Sequence, residues 1–251
     1  MAAWASDAAA YRKAHPPEGI VYGERPREML DLFGPGEGPV ILFIHGGYWQ
    51  ALDGASFSHM ARGLNARGVA VAVATYDLCP DVSIAAIVEQ MRIAAGVLHR
   101  RTRRRFIAVG HSAGGHLAAC LLATDWRSVD RELPARLVPA AYCLSGLFDL
   151  GPLVATQINR ALKLDPAEAQ RLSPLFWTPP RDVKLHAAVG ELESSEYHRQ
   201  SHEIVERWRQ AGAQTSFESL PAANHFTVLA PLADPDSRMV ADIAAVAEAL
   251  A

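Results

Sequence analysis

Short apolar runs alternate with longer amphipathic stretches through most of the chain. PVILFIH (39–45), VAVATYD (71–77), RFIAVG (105–110), LVPAAYCLSG (137–146) and VKLHAAVG (183–190) are apolar, β-branched runs, and QTSFESL (214–220) is a later strand of the same length. Strands that are apolar on both faces are the mark of a parallel sheet covered on both sides. The segments between them read as helices: SFSHMARGLNARG (56–68), SIAAIVEQMRIAAGVLHR (83–100), HSAGGHLAACLLAT (111–124), EYHRQSHEIVERWRQAG (196–212) and a C-terminal run from about residue 236. Ser83 is placed to cap the second of these, and glycines close the first and fourth. This alternation predicts an α/β architecture with a mostly parallel central sheet and helices on both faces. Residues 147–181 are rich in proline and lack a period, so they are expected to form an irregular cap or insertion. With no internal repeat or linker, residues 1–251 read as a single domain.

Composition narrows the class. Half of the 251 residues are hydrophobic and 20% are charged, which suits a buried core rather than a disordered chain. A formal net charge of −3 gives no general attraction to nucleic acid or to an anionic membrane. Three cysteines without CxxC spacing fit a reducing compartment better than a disulfide framework. The first fifteen residues carry Asp7, Arg12 and Lys13 in the wrong order for a secretory signal, so a soluble cytoplasmic protein is the expectation. RRTRRR (100–105) looks like a nucleic-acid patch but also suits a helix C-terminus, where cations complement the macrodipole.

The chemistry concentrates at GHSAGG (110–115). It fits G-x-S-x-G with an apolar strand before it and an alanine-rich helix after it, the context in which Ser112 would sit on a tight strand-to-helix turn as a nucleophile. A serine hydroxyl needs a base. Of the ten histidines, His225 in PAANHFTVL follows the last strand, where this architecture places the base. The acid that orients it should follow an earlier strand, and position alone leaves Glu191, Glu193, Glu196 and Asp149 open. FIHGGYWQ (43–50) follows the first apolar run and offers the amides of Gly46 and Gly47, with that of Ala113, as an oxyanion hole. It also leaves two large aromatics, Tyr48 and Trp49, on an expected loop. His198 and His202 have i, i+4 spacing, but no H-E-x-x-H and no third ligand accompany them, so a solvated helix face is expected and no metal.

HGGYWQ, GHSAGGHLAA, SGLFDLGPL, VGELESSEYHRQS and NHF, taken together and in order, resemble the kynurenine formamidases (arylformamidases) of the α/β-hydrolase superfamily, in its hormone-sensitive-lipase-like branch. The resemblance runs from about residue 39 to 230. It implies an α/β-hydrolase fold, and hydrolysis of N-formyl-L-kynurenine to L-kynurenine and formate without a cofactor. It also settles the acid on Glu193, at a position where relatives carry aspartate. The implied catalytic residues are Ser112, Glu193 and His225, the implied oxyanion hole Gly46, Gly47 and Ala113. Tyr48, Trp49, Phe148, Trp177 and Phe226 are the aromatic candidates for an aryl wall. The expected partners are a small-molecule substrate and at most a second copy of the chain in a homodimer, with neither nucleic acid nor membrane. A broad-specificity carboxylesterase on the same residues is the alternative. A receptor of the same fold would usually have lost one of the three catalytic residues, and none is missing.

Overall fold

The computed structural model describes residues 2–250. Eight strands form one sheet: β1 (Glu18–Val21), β2 (Met29–Phe33), β3 (Val40–Ile44), β4 (Ala70–Thr75), β5 (Ile107–His111), β6 (Ala140–Leu144), β7 (Lys184–Gly190) and β8 (Gln214–Leu220). Their spatial order is β1-β2-β4-β3-β5-β6-β7-β8. β3 to β8 are parallel, and the antiparallel hairpin β1–β2 is added at the β4 edge.

Side-chain alternation divides the strands between two cores. Leu42, Ile44, Ala72, Ala74, Ala108 and Cys143 point to one face. There they meet α3 (Ile84–Thr102), α4 (Ala113–Leu122) and α8 (Ser195–Gln210). Ile41, Phe43, Val71, Val73, Val109 and Leu144 point to the other, against α1 (Ala2–Ala14), α2 (Arg62–Ala66) and α9 (Arg238–Glu248). β3, β5 and β6 are buried at every position, which is why their sequences read as continuous apolar runs.

Ser83 caps α3 as expected, its hydroxyl accepting from the Ala86 N–H at 3.2 Å. The arginine run ends that helix: Arg103 turns left-handed at φ 59°, Arg101 pairs with Glu18 and Arg100 with Asp130. Two local expectations are corrected. The stretch 56–68 is not one helix but a 3₁₀ segment, Gly54–Ala61, followed by the single-turn α2. Asp53 fixes the start of that segment by accepting from the Ser56 N–H, and Gly63 lets α2 pack against the Leu232 carbonyl, from which a Cβ would be 2.5 Å away. The second correction is that the N-terminal residues, left without structure by the pattern, form α1, β1 and β2.

Four-residue α5 (Trp126–Val129) follows α4. Between β6 and β7 the chain makes α6 (Asn159–Leu162), α7 (Pro166–Arg171) and 3₁₀ turns at Gly151–Ala155 and Pro174–Phe176. This stretch buries Leu150, Leu162, Leu172 and Leu175 in the α3–α4–α8 core, and the Ser173 hydroxyl ties its two ends by accepting from the Leu150 N–H at 2.8 Å. Among the described residues no helix is long and apolar enough to cross a membrane.

Candidate active site

The parallel strands end at one edge of the sheet, and the loops leaving that edge carry the residues of interest. β5 passes into α4 through Ser112, which holds φ 56° and ψ −118°, a conformation that side-chain-bearing residues rarely adopt and that costs on the order of 1–3 kcal/mol. The turn is possible because its neighbours lack side chains. A Cβ on Gly110 would lie 2.0 Å from the Gly114 carbonyl oxygen, and one on Gly114 would lie 2.0 Å from that of Ile44. The glycines of G-x-S-x-G therefore let α4 press against β5 and β3, which lifts Ser112 to the end of the strand.

The loop after β3 passes directly beside it. A Cβ on Gly46 would stand 3.0 Å from the Ser112 Cβ and 3.0 Å from the His111 carbonyl oxygen. Gly47 follows with φ 111°. Among the described residues the amides of Gly46, Gly47 and Ala113 donate to no backbone carbonyl, Ala113 being the first residue of α4, where N–H groups lack an intrahelical partner. His45 holds this loop from beneath. Fully buried, it donates from Nδ1 to the Gly46 carbonyl at 2.6 Å and stacks on Tyr76, ring centroids 4.3 Å apart. Burial lowers its pKa to about 4, so the ring is neutral at pH 7.

Glu193 leaves the end of β7 and His225 the end of β8. His225 donates from Nδ1 to Glu193 Oε2 at 2.7 Å, which fixes the tautomer and leaves the Nε2 lone pair free to accept a proton. The carboxylate is itself held: its other oxygen accepts from the Ser145 hydroxyl and from the Gly190 N–H at 2.8 Å. Burial opposes its ionisation, but the hydrogen bonds from His225, Ser145 and Gly190 outweigh that and hold its pKa below the ordinary glutamate value. The other acids that position left open are engaged elsewhere. Glu191 accepts from the Ala222 N–H, while Asp149 and Glu196 both pair with Arg199.

Two residues that the sequence did not single out complete the arrangement. His111, next to Ser112, donates from Nε2 to the His225 carbonyl at 2.8 Å and packs its ring 4.7 Å from that of His225. Burial lowers its pKa to about 3, so it supports the neighbouring ring as a neutral donor. Tyr197, in the first turn of α8, packs its ring 4.7 Å from that of His225, and its hydroxyl stands near Ser112 and meets the Tyr48 hydroxyl at 3.1 Å. Tyr197 lies within the VGELESSEYHRQS stretch, but the sequence around it reads as an ordinary helix start, and the fold is what brings it to His225.

The aromatic candidates separate. Trp49 and Phe148 are fully buried in the core, which corrects the expectation of an exposed Tyr-Trp pair and removes both from an open wall. Trp49 instead turns inward, its ring edge-on to His116 at 5.0 Å. Tyr48 and Trp49 both hold positive φ, 50° and 56°, at a cost of about 1–2 kcal/mol per residue that the burial of the indole offsets. The indole thereby anchors Tyr48 beside the glycines. Trp177 is half-buried and donates from its indole to the Arg171 carbonyl, and Phe226 is 54% exposed next to His225 and edge-on to Trp4 of α1.

The eight-stranded, mostly parallel sheet, with a strained serine at a strand-to-helix turn and a histidine held by a carboxylate at its edge, is the arrangement of an α/β-hydrolase. Solved structures agree on the fold. A provisionally named thioesterase from Silicibacter sp. tm1040 superimposes with a TM-score of 0.84 at 35% identity, covering 96% of this chain and 91% of that one. An esterase from Pyrobaculum calidifontis does so with a TM-score of 0.75 at 20% identity, covering 100% and 92%. The family model described as BD-FAE matches residues 30–137. The kynurenine formamidase of Salmo salar is 31% identical over 231 residues, which cover 86% of this chain and 77% of the relative. The chain belongs to the kynurenine formamidase family.

Proposed function

We propose that this protein hydrolyses N-formyl-L-kynurenine to L-kynurenine and formate, with Ser112 as nucleophile, His225 as base and acid, and Glu193 as the carboxylate that orients it. The observation that carries the reading is the 2.7 Å contact between His225 Nδ1 and Glu193 beside the strained Ser112, in a chain of this family. His225 Nε2 takes the Ser112 proton as the serine oxygen attacks the formamide carbon. The oxyanion lies on the amides of Gly46, Gly47 and Ala113. The imidazolium then protonates the departing aniline nitrogen, and the C–N bond breaks. Water, deprotonated by His225, attacks the formyl-serine and releases formate.

Tyr48, Trp177 and Phe226 are the aromatic side chains still available to flank the aryl group, with Trp49 and Phe148 as buried supports beneath. The whole chain is read as one hydrolase domain with residues 147–181 as its cap, acting on a small molecule in the cytoplasm. Steady-state kinetics on N-formyl-L-kynurenine and on phenyl esters test the substrate. Formamide kcat/KM should equal or exceed that on the esters; a value far below it replaces the formamidase reading by a carboxylesterase.

A further inference from the structure

The hydroxyl pair above Ser112 has a consequence for the acyl group. Tyr48 comes from the loop after β3 and is fixed by the buried Trp49, while Tyr197 comes from the start of α8, its ring packed 4.7 Å from that of His225. Their hydroxyls meet at 3.1 Å. Ser112 beneath them is only 2% exposed, although it stands at the end of its strand. The surroundings of the Ser112 side chain thus include Gly46, where a Cβ would lie 3.0 Å from the Ser112 Cβ, and the nearby Tyr197 hydroxyl.

We propose that the Tyr48–Tyr197 pair is a size gate that admits a one-carbon acyl group to Ser112 and rejects longer ones. A formyl carbon carries only hydrogen, so it needs no room beyond the carbonyl itself. An acetyl or butyryl group brings carbons that must displace the Tyr197 ring from His225 or break the hydroxyl pair. Neither tyrosine can retreat freely: Tyr48 is held through the Trp49 indole, and Tyr197 through its ring packing on His225. Formyl selectivity then resides in this chain's own side chains, with Tyr48 shared between the acyl gate and the aryl wall. The inference rests on the assignment of Ser112 as nucleophile.

The test is kcat/KM for phenyl formate, acetate and butyrate, each divided by that ester's rate with hydroxide to remove intrinsic reactivity. In the native protein the normalised value should fall at least 100-fold from formate to butyrate. Tyr197→Ala and Tyr48→Ala should each shrink that ratio at least tenfold, with Tyr197→Phe, which keeps the ring and the fold, intermediate. A flat native series overturns the gate. So does a loss in both alanine variants that is equal for all three esters, which is what structural damage alone would give. Because the leaving group is constant, the series is independent of the formamide question. A protein that grades acyl length yet ignores N-formyl-L-kynurenine loses only the substrate assignment. One that cleaves N-formyl-L-kynurenine with a flat ester series loses only the gate.

Discussion

Among the described residues, two groupings of serine, histidine and glutamate stand at different places in the fold and differ in geometry. At the C-terminal edge of the sheet stand Ser112, His225 and Glu193. On the α9 side of β6–β8, around a cavity of about 730 Å³, stand Ser216, His186 and Glu218 with Tyr142. In the second grouping Ser216 lies opposite His186 in regular β pairing and takes its Nδ1 at 2.8 Å, while Glu218 is 3.4 Å from Nε2. The first has its carboxylate on Nδ1, with no hydrogen bond on Nε2 among the described residues, and its serine on a strained turn beside three amides without backbone partners. Residue types alone do not distinguish them. The difference lies in which ring nitrogen meets the carboxylate and in whether donors remain for a developing oxyanion.

Replacing the two serines breaks that comparison most sharply. Ser112→Ala should lower kcat/KM by about 10⁴-fold or more, because the attacking atom is gone. Survival of activity in that variant removes Ser112 as nucleophile. The carboxylates come next: Glu193→Gln should cost about 10³–10⁴-fold, since an amide can present its NH₂ to Nδ1 and favour the wrong tautomer. Asp149→Asn, which only loosens the pair with Arg199, should cost far less. A reversed order means that the acid has been misassigned. Gly46→Ala should reduce kcat by about 10²-fold, comparable to losing one oxyanion donor, because its Cβ would meet the Ser112 Cβ and the His111 carbonyl at 3.0 Å. An unchanged kcat would show that the β3 loop does not serve the oxyanion.

Acid sensitivity separates the two ends by a smaller margin. His45, His111 and His116 lie at or behind the catalytic edge, and burial lowers their pKa values to about 4, about 3 and about 4 from 6.5. Between the ordinary and the lowered value the unfolded chain binds protons that the folded one refuses, so stability is full above about pH 6.5 and is lost as pH falls towards 4. At pH 5 the loss should be on the order of 2 kcal/mol per ring. Glu193, lowered as well, adds a loss of the same sign further into acid. Urea denaturation at pH 7.5 and pH 5 measures the slope, and His116→Gln should reduce it. His186 is also lowered by burial, but the neighbouring Glu218 opposes the shift, so His186→Gln should change the slope less.

The sequence made some of this arrangement legible, and the reasons differ by residue. Ser112, Gly46 and Gly47 could be read because their constraint is local: a strained turn and a close backbone approach demand small residues at fixed spacing. His225 followed from its place after the last strand. Glu193 did not, since four carboxylates satisfied position, and the resemblance was needed to choose; in the fold the contacts that distinguish it come from Ser145 and His225, both more than thirty residues away in sequence. Trp49 was misjudged because a loop after two glycines reads as exposed, whereas the left-handed turn at Tyr48 and Trp49 sends the indole into the core. The antiparallel β1–β2 hairpin was missed because its strands are four and five residues long with mixed burial, so pairing with β4 rather than periodicity defines them.

The smallest expected effect is also the one that isolates geometry from composition. Ser216→Ala should leave kcat/KM within about twofold, because the second grouping shares the residue types but not the arrangement. Ser216 sits in regular parallel pairing with β7, whose amides and carbonyls are committed to the ladder, so no donors gather around its oxygen. Its hydroxyl occupies His186 Nδ1, the position that Glu193 holds on His225, and Glu218 approaches the opposite nitrogen from a side chain 34% exposed. Removing the hydroxyl deletes one exposed hydrogen bond, worth at most about 0.5–1.5 kcal/mol of stability. The measurement is paired: urea denaturation should register that small loss while turnover of phenyl formate stays level. A large fall in turnover would connect the α9 side of the sheet to catalysis and erase the contrast between the two groupings.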